Sequence, residues 1–413
     1  MNVLLACFGT RGDVQPYAAL AGALVRAGHR ATLATAEGFH GLAPDGVAFA
    51  SVGSEMLRLI REVMPELSGA RDALQTVGIM RDAMRQQNAE LWAAAEAARP
   101  DLIVYHPKVI GAPHVAEALG VPGVLSLPLP YFTPTRKFLQ PILGDARLPG
   151  WLNRASYGLR RATALMYGGM IDDFRRQLGL RAAGRFADPL VGPDGQAVDV
   201  LYPYSAHVVP TPSDYPPTAH VTGYWFLDEP EWTPPTDLVD FLAAGAPPVY
   251  VGFGSMGFGK GADERRDAVL AALTTNRLRG IVATGWGGIT ADSQLSDDVF
   301  AIDEAPHDWL FPRMAAVVHH GGAGSTAAGL RAGRPTLVVP FLGDQPFWGA
   351  RVAAIGAGPG PLRPWRLDSG LTARLADLVG EPDYRRRAAG VGELIRVEDG
   401  LGVGVRILES LAG

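Results

Sequence analysis

The chain of 413 residues is 47% hydrophobic and 19% charged, with a formal net charge of −5, a composition typical of globular enzymes that argues against a nucleic-acid partner. Its length predicts two domains of about 200 residues each, and no apolar run reaches the roughly 18 residues of a membrane span. A single cysteine, Cys7, excludes an internal disulfide and favours a reducing, cytoplasmic compartment.

Short apolar runs alternate with helical patterns along the first half of the chain. The run NVLLACF at 2–8 predicts a buried strand, because no basic segment precedes it as in a signal peptide. Apolar spacing predicts a helix at 15–29, with Pro16 near its start. Further strands are predicted at 31–35, in DLIVY and in VPGVLSL, each followed by helical or loop patterns. This alternation predicts an α/β fold with parallel sheets wrapped by helices.

A proline-rich stretch divides the chain. Residues 203–235 contain eight prolines in 33 residues, which nearly excludes helix. The strand–helix alternation then restarts, from PPVYVGFGS to PTLVVPF. We therefore expect a first doubly wound domain at 1–210, a linker at 211–235, a second domain at 236–395 and a terminal helix at 396–413. Ligands of such sheets bind beyond the carboxyl ends of the strands.

The segment AAVVHHGGAGSTAAGLRAG predicts a strand, a glycine turn and a helix. A helix N-terminus carries partial positive charge and free N–H groups, and glycines let an anion approach that backbone. His320 can add a ring N–H and Ser325 a hydroxyl. No Asp-x-Asp pair occurs in the chain, so the segment favours a diphosphate site without a metal ion. A tight strand-to-helix turn without a ligand would explain the glycines equally well.

Asp344 and Gln345 follow the next predicted strand, on the same rim of the sheet. A carboxylate accepts hydroxyl protons, and an amide both donates and accepts hydrogen bonds. The pair therefore suits a polyol such as a hexose. An Asx-type turn before Pro346 is the alternative interpretation.

The motif HHGGAGST…GRPTLVVPFLGDQPFWGARV, with APHDWLFPRMAAVV before it, resembles the donor-binding signature of inverting family-1 nucleotide-sugar glycosyltransferases of the GT-B fold. GTRGDVQPYAAL resembles the acceptor-side motif of the sterol glucosyltransferase and actinobacterial antibiotic glycosyltransferase branch. The match is dense over about 300–350, good at 8–20 and 248–256, and faint between them. It implies two doubly wound Rossmann-like domains that face each other across a cleft.

The resemblance also implies roles for individual residues. The residues implied at the donor diphosphate are Ser255, His320, Gly322, Gly324 and Ser325. The residues implied at the donor sugar are Asp344 and Gln345. The residues implied beside the nucleobase are Trp286, Ala305, Pro306 and His307. Trp286 could equally be a core residue.

Many family members carry a histidine base in the first loop, where this chain has Asp13. The resemblance to the sterol-like branch makes Asp13 the candidate base, without a histidine relay, although it could instead cap the following helix. Thr10 and Arg11, with Tyr131 and Phe132, are expected on the acceptor side. YHPK at 105–108 ends another strand and is a weaker acceptor-side candidate.

The predicted reaction is metal-independent transfer of a hexose from UDP-sugar or TDP-sugar to a hydroxyl of an apolar acceptor, with inversion and no cofactor. A catalytically silent nucleotide-sugar-binding partner protein and a nucleotide-sugar epimerase remain alternatives. A nicotinamide dehydrogenase is disfavoured, because no G-x-G-x-x-G follows the first strand. The resemblance places the terminal helix back on the first domain. The acceptor, the exact sugar and the oligomeric state stay open.

Overall fold

A computed structural model of the protein describes residues 1–60, 70–146, 148–184, 187–229, 231–254, 261–285 and 294–412. Two open sheets organise the described chain, each covered by helices on both sides. Among the described residues, no helix combines the length and the apolar composition that a bilayer span requires.

The first sheet has the strand order β3–β2–β1–β4–β5–β6–β7, and all of its pairings are parallel. Its strands are β1 (Asn2–Ala6), β2 (Arg30–Thr35), β3 (Ala48–Ser51), β4 (Leu102–Tyr105), β5 (Gly123–Ser126), β6 (Val200–Tyr202) and β7 (Ala219–Val221). The helices of this part are α1 (Arg11–Arg26), α2 (Ser54–Arg58), α3 (Ala70–Ala98), α4 (Ala112–Leu119), α5 (Gly150–Ser156) and α6 (Ala162–Gln177). Every residue of β1 and β4 is buried, as expected of parallel strands covered on both faces.

The second sheet has the order β10–β11–β9–β8–β12–β13, parallel except for the β10–β11 pair. Its strands are β8 (Val249–Gly252), β9 (Gly280–Ala283), β10 (Gln294–Ser296), β11 (Val299–Ile302), β12 (Ala316–His319) and β13 (Thr336–Val338). The helices that follow the first sheet are α7 (Thr236–Ala243), α8 (Ala262–Thr275), α9 (His307–Leu310), α10 (Ala323–Arg331), α11 (Gln345–Ala354), α12 (Leu367–Gly380), α13 (Pro382–Val397) and α14 (Gly400–Ala412). The predicted α/β class with two doubly wound parts is confirmed.

Each sheet changes its winding direction at one place. In the first sheet the strand order reverses between β1 and β4, and in the second between β8 and β12. Loops that leave neighbouring strands at such a switch point diverge, which opens a crevice at the carboxyl ends of the strands. The segments after β1, β4, β8 and β12 are therefore the places where the fold can hold a ligand.

The C-terminal helix α14 returns to the first sheet and packs against α1. Trp225 Nε1 donates a hydrogen bond to the carbonyl oxygen of Gly400 (3.1 Å), at the start of α14. A Cβ at Gly404 would lie 3.2 Å from the Trp225 ring and 3.4 Å from Leu20 of α1, so the helix sits close against both. This contact ties the end of the chain to the part of the molecule that contains the first sheet.

Two elements differ from the sequence expectations. Helix α1 begins at Arg11, about one turn before the predicted start at residue 15, because Thr10 caps the helix. The stretch 211–235, expected to be linker, contains β7, which pairs in parallel with β6 through Ala219, His220 and Val221. An edge strand of three residues is too short to show a periodic pattern among prolines. The other domain boundaries stay predictions.

Candidate functional site

Asp13 lies in the first turn of α1, just beyond the carboxyl end of β1. Its Oδ2 accepts a hydrogen bond from the backbone N–H of Thr10 (2.7 Å), the N-cap residue of the helix. A Cβ at Gly9, where φ is +143°, would lie 2.1 Å from Asp13 Oδ2, so only glycine leaves room for this carboxylate. Asp13 thus stabilises the helix start as its third residue, rather than as the N-cap of the alternative interpretation.

Two residues that follow β4 surround the Asp13 carboxylate. Lys108 Nζ lies 2.9 Å from both carboxylate oxygens, and His106 Nε2 lies 3.6 Å from Oδ1. The YHPK segment is predicted only as an acceptor-side candidate. Pairing of β4 with β1 brings it to Asp13, and no local sequence pattern marks these residues as partners of Asp13.

The groups around Asp13 keep it ionised. Burial raises the pKa of Asp13, but the Lys108 ammonium and His106 outweigh this effect, so the pKa lies below its ordinary value. Burial lowers the pKa of His106 to about 4, so its imidazole is neutral at pH 7. His106 Nδ1 accepts a hydrogen bond from the backbone N–H of Lys108 (3.1 Å), which places the ring proton on Nε2. His106 therefore presents a donor to Asp13, and not a proton acceptor.

The second crevice is formed by the glycine turn between β12 and α10. Gly322 is the N-cap of α10, and the first hydrogen bond within the helix runs from Thr326 N–H to Gly322 O (3.0 Å). The N–H groups of Ala323, Gly324 and Ser325 therefore point out of the helix end. Gly324 is exposed and Ser325 half-buried. This helix end can bind an anion through peptide dipoles.

The adjacent histidines of this turn differ in their contacts. His319 is buried, and its Nδ1 accepts a hydrogen bond from Gly321 N–H (2.9 Å), so it holds the turn. His320 Nδ1 is buried without a hydrogen-bond partner among the described residues. Burial lowers the pKa of His320 to about 4, so the ring is neutral and can donate one N–H. Each ring keeps one nitrogen without a partner among the described residues, His319 Nε2 and His320 Nδ1, and His320 is the one that does not also hold the turn.

Replacing Gly321 by alanine is expected to destabilise the fold by about 1–3 kcal/mol. Gly321 has φ +93°, and a Cβ there would lie 2.5 Å from Val338 Cγ1 and 3.1 Å from the carbonyl oxygen of Gln345. The matched control is Gly343→Ala, where φ is +64° and a Cβ would meet nothing within 4 Å. Urea denaturation of both variants measures the difference, and equal losses would contradict the proposed close packing.

Asp344 lies beside the glycine turn, as the N-cap of α11. Its Oδ2 accepts a hydrogen bond from Trp348 Nε1 (2.8 Å). Burial raises the pKa of Asp344 above its ordinary value, although the hydrogen bond from Trp348 lowers it. The charge of Asp13 raises the pKa of Asp344 as well, and the charge of Lys108 lowers it. The carboxylates of the two crevices are therefore within electrostatic reach of each other.

Gln345 is buried beneath the same loop. Its Oε1 accepts hydrogen bonds from the backbone N–H groups of Phe341 (2.7 Å) and Leu342 (3.1 Å). Both Asp344 and Gln345 are predicted to contact sugar hydroxyls. The amide oxygen of Gln345 also shapes the loop that presents Asp344, because it pairs two backbone N–H groups of that turn.

The segment expected beside the nucleobase forms the start of α9. Pro306 is its N-cap, and Ala305 and Pro306 lie next to His307. The His307 ring stacks on Phe311, with centroids 4.1 Å apart and planes at 15°. Burial, together with the charges of His320 and Arg11, lowers the pKa of His307 to about 4, and α9 contacts α10, so His307 lies beside the same crevice. Ser255 and Trp286 lie outside the described residues.

The acceptor-side candidates fall into two groups. Arg11, at the start of α1, forms ion pairs with Glu229 and with Glu304 (2.7 Å), so it bridges α1 to the segment before α9. Tyr131 and Phe132 make an edge-to-face contact with ring centroids 4.7 Å apart, and Phe132 is buried. Phe132 is thus a packing residue, whereas half-buried Tyr131 can still contact a ligand.

Two family models match the chain. Residues 3–135 match the glycosyltransferase family 28 N-terminal domain. Residues 280–395 match the erythromycin biosynthesis protein CIII-like C-terminal domain. The first match contains Asp13, His106 and Lys108, and the second contains His320 and Asp344.

Curated relatives align along nearly the whole chain. The chain is 35% identical over 425 residues to the sterol 3-beta-glucosyltransferase UGT80A2 of Arabidopsis thaliana, covering 98% of this chain and 65% of that protein. It is 35% identical over 424 residues to the sterol 3-beta-glucosyltransferase UGT80B1 of the same plant, covering 98% of this chain and 67% of the relative. The chain thus spans about two thirds of the length of these relatives.

Solved structures share the two-sheet architecture. The glycotransferase of kitacinnamycin superposes with a TM-score of 0.72 at 17% identity, covering 100% of both chains. The glycosyltransferase VinC, solved in complex with DTDP, superposes with a TM-score of 0.64 at 21% identity, covering 100% of this chain and 99% of VinC. At these identities the likeness establishes the GT-B fold.

Proposed function

Because the chain belongs to the family-1 glycosyltransferases of the GT-B fold, together with the sterol 3-beta-glucosyltransferases, we propose that it transfers a hexose to a hydroxyl group of an apolar acceptor. The donor is a nucleoside-diphosphate sugar, UDP-glucose or a TDP-sugar. One observation carries the proposal: helix α1, which carries the ionised Asp13, contacts α10, whose N-terminus lies beside a His320 nitrogen without a partner among the described residues, and the charge of Asp13 raises the pKa of the neighbouring Asp344.

The diphosphate would lie at the N-terminus of α10. Its oxygens would accept hydrogen bonds from the N–H groups of Gly324 and Ser325 and from the His320 ring, while the helix dipole offsets their charge. Asp344 would accept hydrogen bonds from sugar hydroxyls, and Gln345 would hold its loop in place. These donors are fixed before the reaction, so they stabilise the charge that develops on the leaving diphosphate without reorganisation. The proposed reaction therefore needs no metal ion.

Asp13 is the proposed general base. The acceptor oxygen forms a bond to the anomeric carbon while the bond from that carbon to the diphosphate oxygen breaks, and the electron pair leaves with the nucleoside diphosphate. The acceptor proton passes to Asp13. A single displacement inverts the anomeric configuration. Lys108 disfavours the protonated, neutral carboxyl, so the proton is released to solvent and the base is restored for the next cycle.

An apolar acceptor fits the first domain, where half-buried Tyr131 follows β5 and packs against Phe132. Phe138 reaches across to Phe347 of α11, with ring centroids 5.7 Å apart. The plant relatives are sterol 3-beta-glucosyltransferases, which supports a lipophilic alcohol as the acceptor here. We place the protein in the cytoplasm, in agreement with its single buried thiol, Cys7.

The decisive experiment is a donor and acceptor screen. Purified protein is incubated with UDP-glucose, UDP-galactose or TDP-glucose and a panel of lipophilic alcohols, and released nucleoside diphosphate is quantified. NMR of the product should show a β-glucoside from an α-linked donor. Donor binding without release for any acceptor would favour the silent partner protein. Interconversion of the sugar without transfer would favour the epimerase.

Replacing Lys108 by methionine is expected to move the acidic limb of the pH profile of kcat/KM to higher pH. Loss of the ammonium raises the pKa of Asp13, which must be ionised to accept a proton, so activity is lost earlier as pH falls. The value of kcat/KM on the alkaline plateau should stay within about tenfold of that of the parent protein. Lys108→Arg, which keeps the charge, should retain the parent profile, and an unshifted limb in the methionine variant would remove Lys108 from this role.

A further inference from the structure

Exposed apolar side chains are concentrated on one part of the first domain. Half of the large apolar side chains that are exposed among the described residues lie between 142 and 166. Trp151 is 67% exposed, Leu165 60% and Met166 70%. We call this region the 142–166 surface; its most exposed members are Ile142, Leu143, Leu148, Trp151, Leu165 and Met166. Such a concentration indicates an interaction surface.

Hydrogen bonds hold much of this surface in a defined shape. Asn153 Nδ2 donates to the carbonyl oxygens of Arg136 (3.1 Å) and Leu148 (3.3 Å). The backbone N–H of Gln140 donates to Ser156 Oγ (3.0 Å). These bonds fix the segment around Trp151 against the segment before Ile142. The apolar side chains are therefore presented by an ordered scaffold.

The same segment is strongly basic in an acidic protein. Residues 133–169 contain six arginines or lysines and one acidic residue, Asp145, whereas the whole chain has a net charge of −5. Arg160 and Arg161 pair with Asp188, and Arg154 Nη1 donates to Pro134 O (3.2 Å) and lies 3.9 Å from Asp214 Oδ2, so these two carboxylates offset part of the positive charge and leave an excess of basic residues. The basic residues are Arg136, Lys137, Arg147, Arg154, Arg160 and Arg161. This charge is complementary to an anionic surface.

The 142–166 surface also continues into the acceptor side of the cleft. It follows directly on the segment that carries Tyr131 and Phe138, and Phe138 contacts Phe347 of α11. A partner that covers the surface would therefore sit next to the proposed acceptor entrance.

We propose that the 142–166 surface docks on the interfacial layer of a bilayer that contains anionic phospholipids. Tryptophan favours the headgroup region, the aliphatic side chains reach the acyl boundary, and each basic residue near the membrane contributes about 1 kcal/mol of attraction to anionic lipid. A lipophilic acceptor dissolved in the bilayer then reaches the cleft without crossing water. The docking does not depend on glycosyl transfer, so it can succeed or fail independently of the proposed function.

The test is flotation of the full chain with vesicles, in the absence of donor and acceptor. Vesicles of phosphatidylcholine with 30% phosphatidylglycerol (a roughly one-third anionic surface) should bind the protein, and pure phosphatidylcholine should bind it much less. The double variant Trp151→Ser/Leu165→Ser should bind at least about tenfold more weakly. Trp365→Ser is the matched control, because Trp365 is 70% exposed on the opposite domain. It should bind as the parent does.

A second variant tests the charge. Arg136→Glu/Arg154→Glu should lose binding to anionic vesicles, and 0.5 M salt (a Debye length of about 4 Å) should weaken the parent in the same way. Circular dichroism checks that both double variants remain folded. Absence of flotation with either vesicle, or an equal loss in Trp365→Ser, would overturn the proposal. So would concentration-dependent self-association of the parent, seen by light scattering, that Trp151→Ser/Leu165→Ser abolishes, because the surface would then bind protein.

Discussion

Replacing Asp13 by asparagine is expected to reduce kcat by about 10²- to 10⁴-fold while donor affinity stays within about threefold of the parent. Asparagine has the shape of the carboxylate, so it still fits beside Gly9 and Lys108. Its amide cannot accept the proton that the acceptor hydroxyl must lose. The loss therefore falls on the chemical step, and single-turnover kinetics with saturating donor measures it directly.

The structure gives Asp13 a second role that this experiment has to separate. Its Oδ2 accepts hydrogen bonds from the N–H (2.7 Å) and Oγ1 (3.1 Å) of Thr10, so a fall in activity could follow from a frayed helix. Thr10→Ala removes the Thr10 Oγ1 hydrogen bond from the same helix cap and leaves the Asp13 carboxylate in place. It should lose about 1 kcal/mol of stability but keep turnover within about tenfold. If Thr10→Ala were as inactive as Asp13→Asn, Asp13 would be a structural residue and not the base.

The contacts of His106 and Lys108 with Asp13 could not be predicted from the sequence. Strand endings and glycine turns are local features, so the His320 turn and the Asp344 loop could be identified as candidate sites from them, whereas Asp13 is identified through the family resemblance of its motif. No local sequence feature indicates that His106 or Lys108 contacts Asp13. They reach it only because β4 pairs with β1, across about 95 residues of chain. Contacts of this kind depend on strand order, which periodicity does not specify.

The same distinction applies to residues whose type suits two roles. The side chain of Gln345 has the hydrogen-bonding groups that suit a sugar. In the structure it is buried, and its Oε1 accepts hydrogen bonds from two backbone N–H groups, so it supports the loop. Arg11 belongs to the motif that suggested an acceptor contact, yet it pairs with Glu229 and Glu304 of other segments. Side-chain chemistry limits what a residue can do, and the packed neighbours decide which use it has.

Replacing His320 by alanine is expected to lower kcat/KM by about 10²- to 10³-fold and to weaken binding of the nucleoside diphosphate. Its Nδ1 is buried without a partner among the described residues, so a phosphate oxygen would satisfy an atom whose isolation costs about 1–3 kcal/mol. The fold should not suffer, since the removed nitrogen stabilises no described contact. Isothermal titration with UDP or TDP gives the affinity, and His319→Ala should instead lose stability, because His319 holds Gly321.

Two further observations would test whether the ligand lies at this helix end. Burial lowers the pKa of His320 to about 4, so the ring is neutral from pH 6 to 8, and affinity for the diphosphate should show no histidine titration in that range. A Cβ at Gly324 would meet no protein atom within 4 Å, so the position has room for a side chain and Gly324→Val is expected to keep the fold. Only a ligand seated on the α10 N-terminus would collide with the new side chain. Full affinity in Gly324→Val, together with a normal melting temperature, would show that the diphosphate binds elsewhere.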